Sequence, residues 1–438
     1  MNLIKGRLIS RSVSLNMLAN LENDIFETIE NTDYNLIVER TLDACDRLSK
    51  KISDDVHLPL LVARGMGPEK ARRELEEIRT FLTREYLETR LKLELEHGGN
   101  HFKVDWTLKP FDKQNEVRYS WKPLGVLLHI AAGNIDALPV FSVIEGLLTG
   151  NINILKLPSE DDGLSVQILQ ELVELSPEIG DHIYVFDFSS SETENIRLLA
   201  DVSDAIVVWG GEAAISAVRQ LAAANTKIIE WGHKISFAYV ADPENVSDAD
   251  LEGIAFNMCD TEQLFCSSCQ GIYIGIDDQE ALYRFAERFH LILDRVATRM
   301  HGDTRPDIPV GVRAQKALER QTEQLESAFM EKRVYKSHMC SVIAYSDMKL
   351  TLSYQFGNCW VKRLPRPYVL KNLKPHKNRL QTMALLCDKP QRASLEALFL
   401  KAGVVRITSG QNMSKSYCGL PHDGEYPLRR YMKLISMD

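Results

Sequence analysis

Between Gly125 and Trp231, short apolar runs alternate with stretches of helical periodicity. The runs are GVLLHIA (125–131), NILKL (153–157), IYVFDF (183–188), AIVVWGG (205–211) and TKIIEW (226–231). Helical patterns over 137–148, 163–175, 191–200 and 212–224 separate them. Strands that are apolar on both faces and interleaved with helices predict a parallel, doubly wound sheet. Such sheets bind ligands at the carboxyl ends of their strands. The pattern restarts after residue 236. SFAYV, a helix over 248–259, QGIYIGI, helices over 278–299 and 311–330, and short strands near 341–346, 357–362, 383–387 and 404–408 predict a second α/β domain. The first hundred residues read mostly as helix, with Leu15, Leu18, Leu21, Ile25 and Ile29 at helical spacing, then Val38, Leu42, Cys45 and Leu48. Pro68 opens a long charged amphipathic helix that Gly98, Gly99 and Asn100 stop. Two alternating runs, 102–109 and 116–121, predict a two-stranded excursion, and the basic, Pro-containing stretch 363–379 a surface loop. The expected divisions are a helical segment (1–100), a β-hairpin (101–122), a nucleotide-binding domain (123–235), a second α/β domain (236–410) and a C-terminal return (411–438).

Composition narrows the function classes. The chain has 438 residues and a net charge of −9, with 26% charged and 45% hydrophobic residues. Mild acidity argues against bulk nucleic-acid binding, which needs a basic face. No apolar run approaches the ~20 residues of a membrane span, and the N-terminal apolar stretch is too short and interrupted for a signal peptide. Eight cysteines are too sparse for a disulfide framework, so reduced thiols and a cytoplasmic location are the expectation.

Several residues at predicted strand ends can carry chemistry. Cys266, in Gln263-Leu-Phe-Cys-Ser-Ser-Cys-Gln270, stands between a helix and a strand, where a nucleophile can face a cleft; the plainer alternative is a small buried hydrophobe. The Cys266-Ser-Ser-Cys269 spacing also invites a metal or dithiol reading, but no second such pair and no suitably spaced histidine complete a metal set. Asn134 follows the first strand and can donate to an oxyanion, or cap a helix. Lys156 ends the second strand, with Ser159 and Glu160 beside it, and can reach a ribose or phosphate. Gly210 and Gly211 open a helix after the fourth strand and suit an anion, although no G-x-G-x-x-G occurs. Glu230 ends the fifth strand and can act as a base, or serve as a hydrogen-bonded structural glutamate.

The order of these signals is more specific than any one of them. Pro123, Gly125 and Val126, then Asn134, Leu147-x-x-Gly150-Asn151, Lys156, Gly210-Gly211, Glu230-x-Gly232, and Gln263 ahead of Cys266 together resemble the aldehyde dehydrogenase superfamily. VWGGEAAI, the CSSxQ of Cys266 to Gln270, and PHDGEYPLRRY (Pro421 to Tyr431) resemble its bioluminescence-type (LuxC-type) acyl-CoA reductases. The resemblance covers about residues 100–438. It implies an aldehyde dehydrogenase-like fold of two doubly wound α/β domains with a helical N-terminal segment and an oligomerisation β-hairpin, and hence a dimer or tetramer. It also implies Cys266 as nucleophile, with Cys269 at a non-catalytic position, and Asn134 as an oxyanion donor. Glu230 then lies near the nucleophile, and Lys156, Ser159, Gly210 and Gly211 hold the cofactor. The superfamily's E-x-F-G-P segment survives only as Phe356-Gly357-Asn358, and WGHK replaces LGGK after Glu230.

The implied reaction is NADPH-dependent reduction of an acyl thioester, a fatty acyl-CoA or an acyl group delivered by an acyl-protein synthetase partner, to an aldehyde. NADH is the alternative cofactor, because Glu160 disfavours a 2′-phosphate while Lys156 and Ser159 suit one. Aldehyde oxidation and a non-catalytic scaffold role are the alternative functions.

Overall fold

The computed structural model describes residues 2–63, 66–95, 107–108, 118–131, 137–158, 161, 163–302 and 308–437. The chain forms two compact units. The first comprises Met1–Pro59, Arg72–Gly232 and Tyr417–Asp438; the second comprises Leu60–Ala71 and His233–Ser416.

The strands of the first unit are β1 (Asn2–Ile4), β2 (Arg7–Ile9), β3 (Thr107–Leu108), β4 (Arg118–Pro123), β5 (Val126–Ile130), β6 (Ile152–Lys156), β7 (Ile183–Phe186), β8 (Ala205–Trp209) and β9 (Lys227–Trp231). Its main sheet runs β2-β1-β7-β6-β5-β8-β9. The five predicted strands are parallel, with Leu128 opposite Ile154 on one side and Ile206 on the other. Both faces are apolar because both are covered. Leu155 and Val185 pack with Val143, Leu147 and Leu169 of the helices Leu138–Leu148 and Leu164–Leu175. Leu128, Ile154 and Phe186 pack with Leu199 and Val218 of the helices Thr193–Asp201 and Glu212–Leu221. Strand order reverses at β5, which places the ligand crevice of such a sheet beyond the carboxyl ends of β5 and β8.

The described residues of the first hundred are mostly helical, with one departure. β1 and β2 form a hairpin that extends the sheet antiparallel to β7. Strands of three residues are too short to show an alternation, so helical periodicity further on dominates that region.

The second unit contains β10 (Ile235–Val240), β11 (Cys269–Ile274), β12 (Lys332–Lys336), β13 (Ser341–Tyr345), β14 (Asn358–Arg363), β15 (Leu380–Leu386) and β16 (Arg406–Thr408), in the order β12-β13-β14-β11-β10-β15-β16. All neighbours are parallel except the edge pair β12–β13. The helices Asp248–Asp260 and Gln279–His301 cover one face. Phe399 and Leu395 of the helix Lys389–Ala402 pack on the other. The predicted loop 363–379 is instead a run of short helical turns, Arg366–Tyr368, Val369–Leu373 and Lys374–His376. Val369 and Leu373, four residues apart, are fully buried there; the surrounding basic residues mask this apolar pair in the sequence. β12 was not predicted, because KRVYK is a half-polar edge strand.

The last strand, β17 (Met432–Met437), returns to the first unit and pairs antiparallel with β4, which also pairs with β3. The two-stranded excursion is therefore present in its described part, Thr107 opposite Tyr119, as a three-stranded sheet.

Candidate active site

Cys266 lies in the second unit, in the turn between the helix Asp248–Asp260 and β11, and is half-buried. The turn is held from several sides. Ser236 Oγ donates to the Cys266 carbonyl at 2.6 Å, and the Thr382 N–H donates to Ser236 Oγ at 3.0 Å. Asn257 Oδ1 accepts the Cys269 N–H at 2.8 Å, while Asn257 Nδ2 donates to Ser414 Oγ at 2.9 Å. Ser268 Oγ accepts the Phe265 N–H at 2.9 Å. Upstream, Glu262 and Gln263 adopt left-handed φ of 50° and 60°. For residues other than glycine such backbone costs of order 1 kcal/mol or more and persists only where the surroundings enforce it. Here a glutamine pair enforces it. Gln263 Nε2 donates to the Cys269 carbonyl and to Ser353 Oγ, both at 3.1 Å, and Gln263 Oε1 accepts the Gly357 N–H at 3.1 Å. Gln270 Nε2 donates to the Gln263 carbonyl at 2.9 Å, and Gln270 Oε1 accepts Ser353 Oγ–H at 2.7 Å. The Phe356 N–H closes the link by donating to the Glu262 carbonyl at 3.0 Å. The Phe356-Gly357-Asn358 remnant is thus tied directly to the cysteine turn.

Gln381 Nε2 donates to Cys266 Sγ at 3.2 Å. A donor aimed at sulfur favours the thiolate, the nucleophilic form. Cys269 differs in every respect. It is fully buried, its S–H donates to the Gly271 carbonyl at 3.3 Å, and burial pushes its thiol up to about 12. The two cysteines of the CSSC stretch therefore separate into a half-buried thiol with a donor and an inert core thiol. None of the eight cysteines forms a disulfide, and no group of three or more metal-ligating side chains assembles among the described residues. Sequence reasoning missed Gln381 and Ser236. Their signal was a polar residue at the start of an otherwise apolar strand, 6% exposed for Gln381 and 0% for Ser236.

The other predicted residues fall in the first unit. Lys156 ends β6 and is 6% exposed. Gly210 follows β8, its N–H bonded to the Trp231 carbonyl at 3.2 Å. Gly211 is the N-cap of the helix Glu212–Leu221; no side chain caps that end, and a Cβ built on Gly211 would meet nothing within 4 Å. A helix start behind an open glycine suits a pyrophosphate, because the first-turn N–H groups of a helix have no intrahelical acceptor and the helix dipole favours an anion. Glu230 is already engaged: Arg219 donates to Oε1 through Nε at 2.7 Å and lies 2.6 Å away through Nη2. Asn134 and Ser159 lie outside the described residues.

The PHDGEYPLRRY segment packs at the same edge. Asp423 and Gly424, both at positive φ, make a two-residue hairpin turn closed by reciprocal His422–Glu425 bonds of 2.9 Å. It sets the His422 ring edge-on to the stacked pair Trp209 and Trp231, at centroid distances of 5.5 and 4.9 Å. Arg430 lies 4.5 Å over the Trp231 ring. The buried Glu94 anchors the segment by accepting the Leu428 N–H at 2.9 Å, and Arg90 binds Glu94 and Glu145 at 2.5 Å each.

Comparison with known proteins places this geometry. The family described as acyl-CoA reductase (LuxC) matches residues 34–434. The long-chain acyl-protein thioester reductase 2 of Photobacterium leiognathi is 25% identical over 335 residues, 74% of this chain and 66% of that one. The long-chain acyl-protein thioester reductase of Photobacterium phosphoreum is 27% identical over 234 residues, 52% of this chain and 46% of its own. The chain thus spans two thirds or less of the length of these curated relatives. Among solved structures, 3,6-anhydro-L-galactose dehydrogenase in complex with NAP superposes with a TM-score of 0.73 at 13% identity, covering 100% of this chain and 99% of that one. The fold is that of the aldehyde dehydrogenases, and the chain belongs to the LuxC acyl-CoA reductase family.

Proposed function

We propose that the protein reduces an acyl thioester to an aldehyde through an acyl-enzyme on Cys266. The observation that carries this reading is the half-buried Cys266 sulfur with the Gln381 amide donating to it at 3.2 Å. The thiolate attacks the thioester carbonyl, a carbon–sulfur bond forms to Cys266, and the substrate thiol leaves with a proton. Negative charge gathers on the carbonyl oxygen in this step and again on reduction. The Cys266 N–H and the Asn134 amide are the proposed donors to it; losing one such donor lowers rate by ~10²–10³. Gly210, Gly211 and the helix start behind them fit a pyrophosphate, and Lys156 with Ser159 fits the adenosine ribose and its 2′-phosphate. These residues would hold a nicotinamide cofactor, NADPH in preference to NADH, which would supply the hydride for the reduction. The bond to Cys266 then breaks and the aldehyde departs.

Glu230 separates this reaction from aldehyde oxidation. Oxidation to an acid needs a base to activate water, and the Glu230 carboxylate is held by Arg219. Thioester reduction needs no such base, so Glu230 is proposed as a positioning residue.

The acyl group is read as a fatty chain, carried by CoA or delivered by an acyl-protein synthetase, because the relatives are named for long-chain acyl-protein thioesters. The strands around β4 are proposed as an oligomerisation element of a dimer or tetramer. No helix among the described residues is long and apolar enough to cross a membrane, and cysteines without disulfides suit the cytoplasm. The test is product analysis. Acyl-CoA plus NADPH should give aldehyde and free thiol, while aldehyde plus NADP⁺ without added thiol should give no acid. Acid as the sole product would overturn the reading in favour of a dehydrogenase.

A further inference from the structure

Seven non-glycine residues among those described have left-handed φ, and four of them belong to two segments joined at the cysteine turn: Glu262 and Gln263 in one, Gln355 and Phe356, at 62° and 50°, in the other. For a bulky residue such backbone is an outlier, and it persists only where the surroundings impose it. Two strained segments bonded to each other need an anchor outside both.

Residues 353–357 hold the turn from one side. Ser353 Oγ accepts Gln263 Nε2 at 3.1 Å and donates to Gln270 Oε1 at 2.7 Å, and the Ser353 N–H donates to the same Gln270 oxygen at 3.2 Å. The Gln355 N–H donates back to Ser353 Oγ at 3.1 Å. Tyr354 stands between these two residues in the chain, so whatever fixes its side chain constrains theirs. Its phenol donates to Glu323 Oε1 at 2.6 Å.

Glu323, on the helix Val310–Glu326, is 5% exposed and is itself fixed. Tyr345 of β13 donates to the same oxygen at 2.9 Å, and Lys332 of β12 donates to Oε2 at 2.6 Å. Burial alone would raise the Glu323 carboxyl, but Lys332 and the two phenols hold it below the usual carboxylate range, so it is an anion at neutral pH. Two of its three donors thus come from the antiparallel pair β12–β13, which forms the edge of the sheet. The third, Tyr354, comes from the segment that holds the cysteine turn.

We propose that Tyr354, anchored on the buried Glu323, is a positioning residue for Cys266, acting through Ser353, Gln263 and Gln270 on the turn that carries the sulfur and the Cys266 N–H. The effect on catalysis rests on the reading of Cys266 as the acyl-accepting nucleophile. The mechanical link from Tyr354 to the turn does not.

The test compares the full chain with Tyr354→Phe, which removes the phenol oxygen and keeps the ring. Tyr345→Phe is the matched variant: each loses one bond to the same Glu323 oxygen, so an effect of stability alone would act on both equally. Hydrogen exchange read by mass spectrometry follows peptides covering 262–270. Loss of a bond to a charged group should speed exchange there about tenfold or more in Tyr354→Phe, and by less than about threefold in Tyr345→Phe, where the 353–357 segment keeps its anchor. Mixing with acyl-CoA in the absence of NADPH then reads the acylation step alone. Its rate at saturation should fall about tenfold or more in Tyr354→Phe, because a small misplacement of reacting groups is enough for that, while the acyl-CoA concentration at half-saturation changes less than about threefold. With no NADPH present, a lost cofactor contact cannot produce this result. Unchanged exchange over 262–270, an acylation rate equal to the parent's, a change confined to half-saturation, or an equal effect of Tyr345→Phe would each overturn the proposal. A parent chain that forms no adduct on Cys266, with exchange still responding to Tyr354→Phe, would overturn the reductase reading and leave the link from Tyr354 to the turn standing.

Discussion

Replacing Gln381 by Leu removes a side-chain donor to Cys266 Sγ while keeping roughly the volume of a residue at the start of a core strand. A hydrogen bond to a charged group in a protein contributes about 1.5–3 kcal/mol. Cys266 is half-exposed, so solvent replaces part of that and about 1.4 kcal/mol is the expected loss. Because the bond favours the thiolate, its loss raises the thiol's titration midpoint, by about one unit at ~1.36 kcal/mol per unit. Below both midpoints the thiolate fraction falls about tenfold. A more basic thiolate is also more nucleophilic, with a Brønsted slope of ~0.4–0.5, which returns about threefold. Alkylation of Cys266 by iodoacetamide should therefore slow about three- to fourfold at fixed low pH, with the rate–pH curve displaced upward by about one unit. Gln381→Glu should displace it further, since a carboxylate beside the sulfur opposes ionisation. The assay is site-resolved mass spectrometry of alkylation rates across pH. A midpoint that stays put or falls in Gln381→Leu would refute the claim that this amide activates the cysteine.

Cys269→Ala should keep substantial turnover and lose about 1 kcal/mol of stability from a small core cavity; complete loss of turnover in a folded variant would revive a dithiol mechanism. Gly211→Val adds a side chain where the protein itself offers no contact within 4 Å. It should lower stability by no more than the ~1 kcal/mol of a lost N-cap preference while raising KM for NADPH about tenfold or more, and an unchanged KM would remove Gly211 from the cofactor site. Arg90→Met leaves Glu94 and Glu145 without their buried cation, and chemical denaturation should report a loss of about 3–5 kcal/mol. His129 is fully buried and held at about 4 against an ordinary 6.5. Between those values the unfolded chain binds the extra proton, so stability present above pH 6.5 is lost as pH falls toward 4, by up to about 3 kcal/mol. His129→Gln should flatten that part of the stability–pH curve; an equally steep curve would assign the acid sensitivity elsewhere.

The parallel sheets were legible because both faces of their strands are buried, which leaves near-continuous apolar runs such as AIVVW and ISFAYV. What escaped was structure whose cause is not local. The β1–β2 hairpin owes its place to β7, some 180 residues away, and no three-residue strand shows an alternation of its own. Val369 and Leu373 are buried by a helix that begins at Lys389, so their neighbours' charges gave a misleading impression of a loop. The candidate residues divide along the same line. Cys266, Lys156, Gly210 and Gly211 sit at strand or helix ends, and position in a doubly wound sheet is itself a signal. Gln381, 115 residues from Cys266, and the Gln263–Gln270–Ser353 cluster are joined only by the fold. The HDGEYPL segment showed a turn signal in Asp423-Gly424, but its purpose, holding His422 on Trp209 and Trp231, depends on strands two hundred residues earlier.

The central claim is that Cys266 carries the acyl group. Intact-mass spectrometry after mixing the protein with a panel of acyl-CoAs in the absence of NADPH tests it directly. One acyl mass should be added per chain, located on Cys266 by peptide mapping, absent in Cys266→Ala, present in Cys269→Ala, and discharged as aldehyde when NADPH is supplied. An adduct on another residue, or full turnover by Cys266→Ala, would contradict the account.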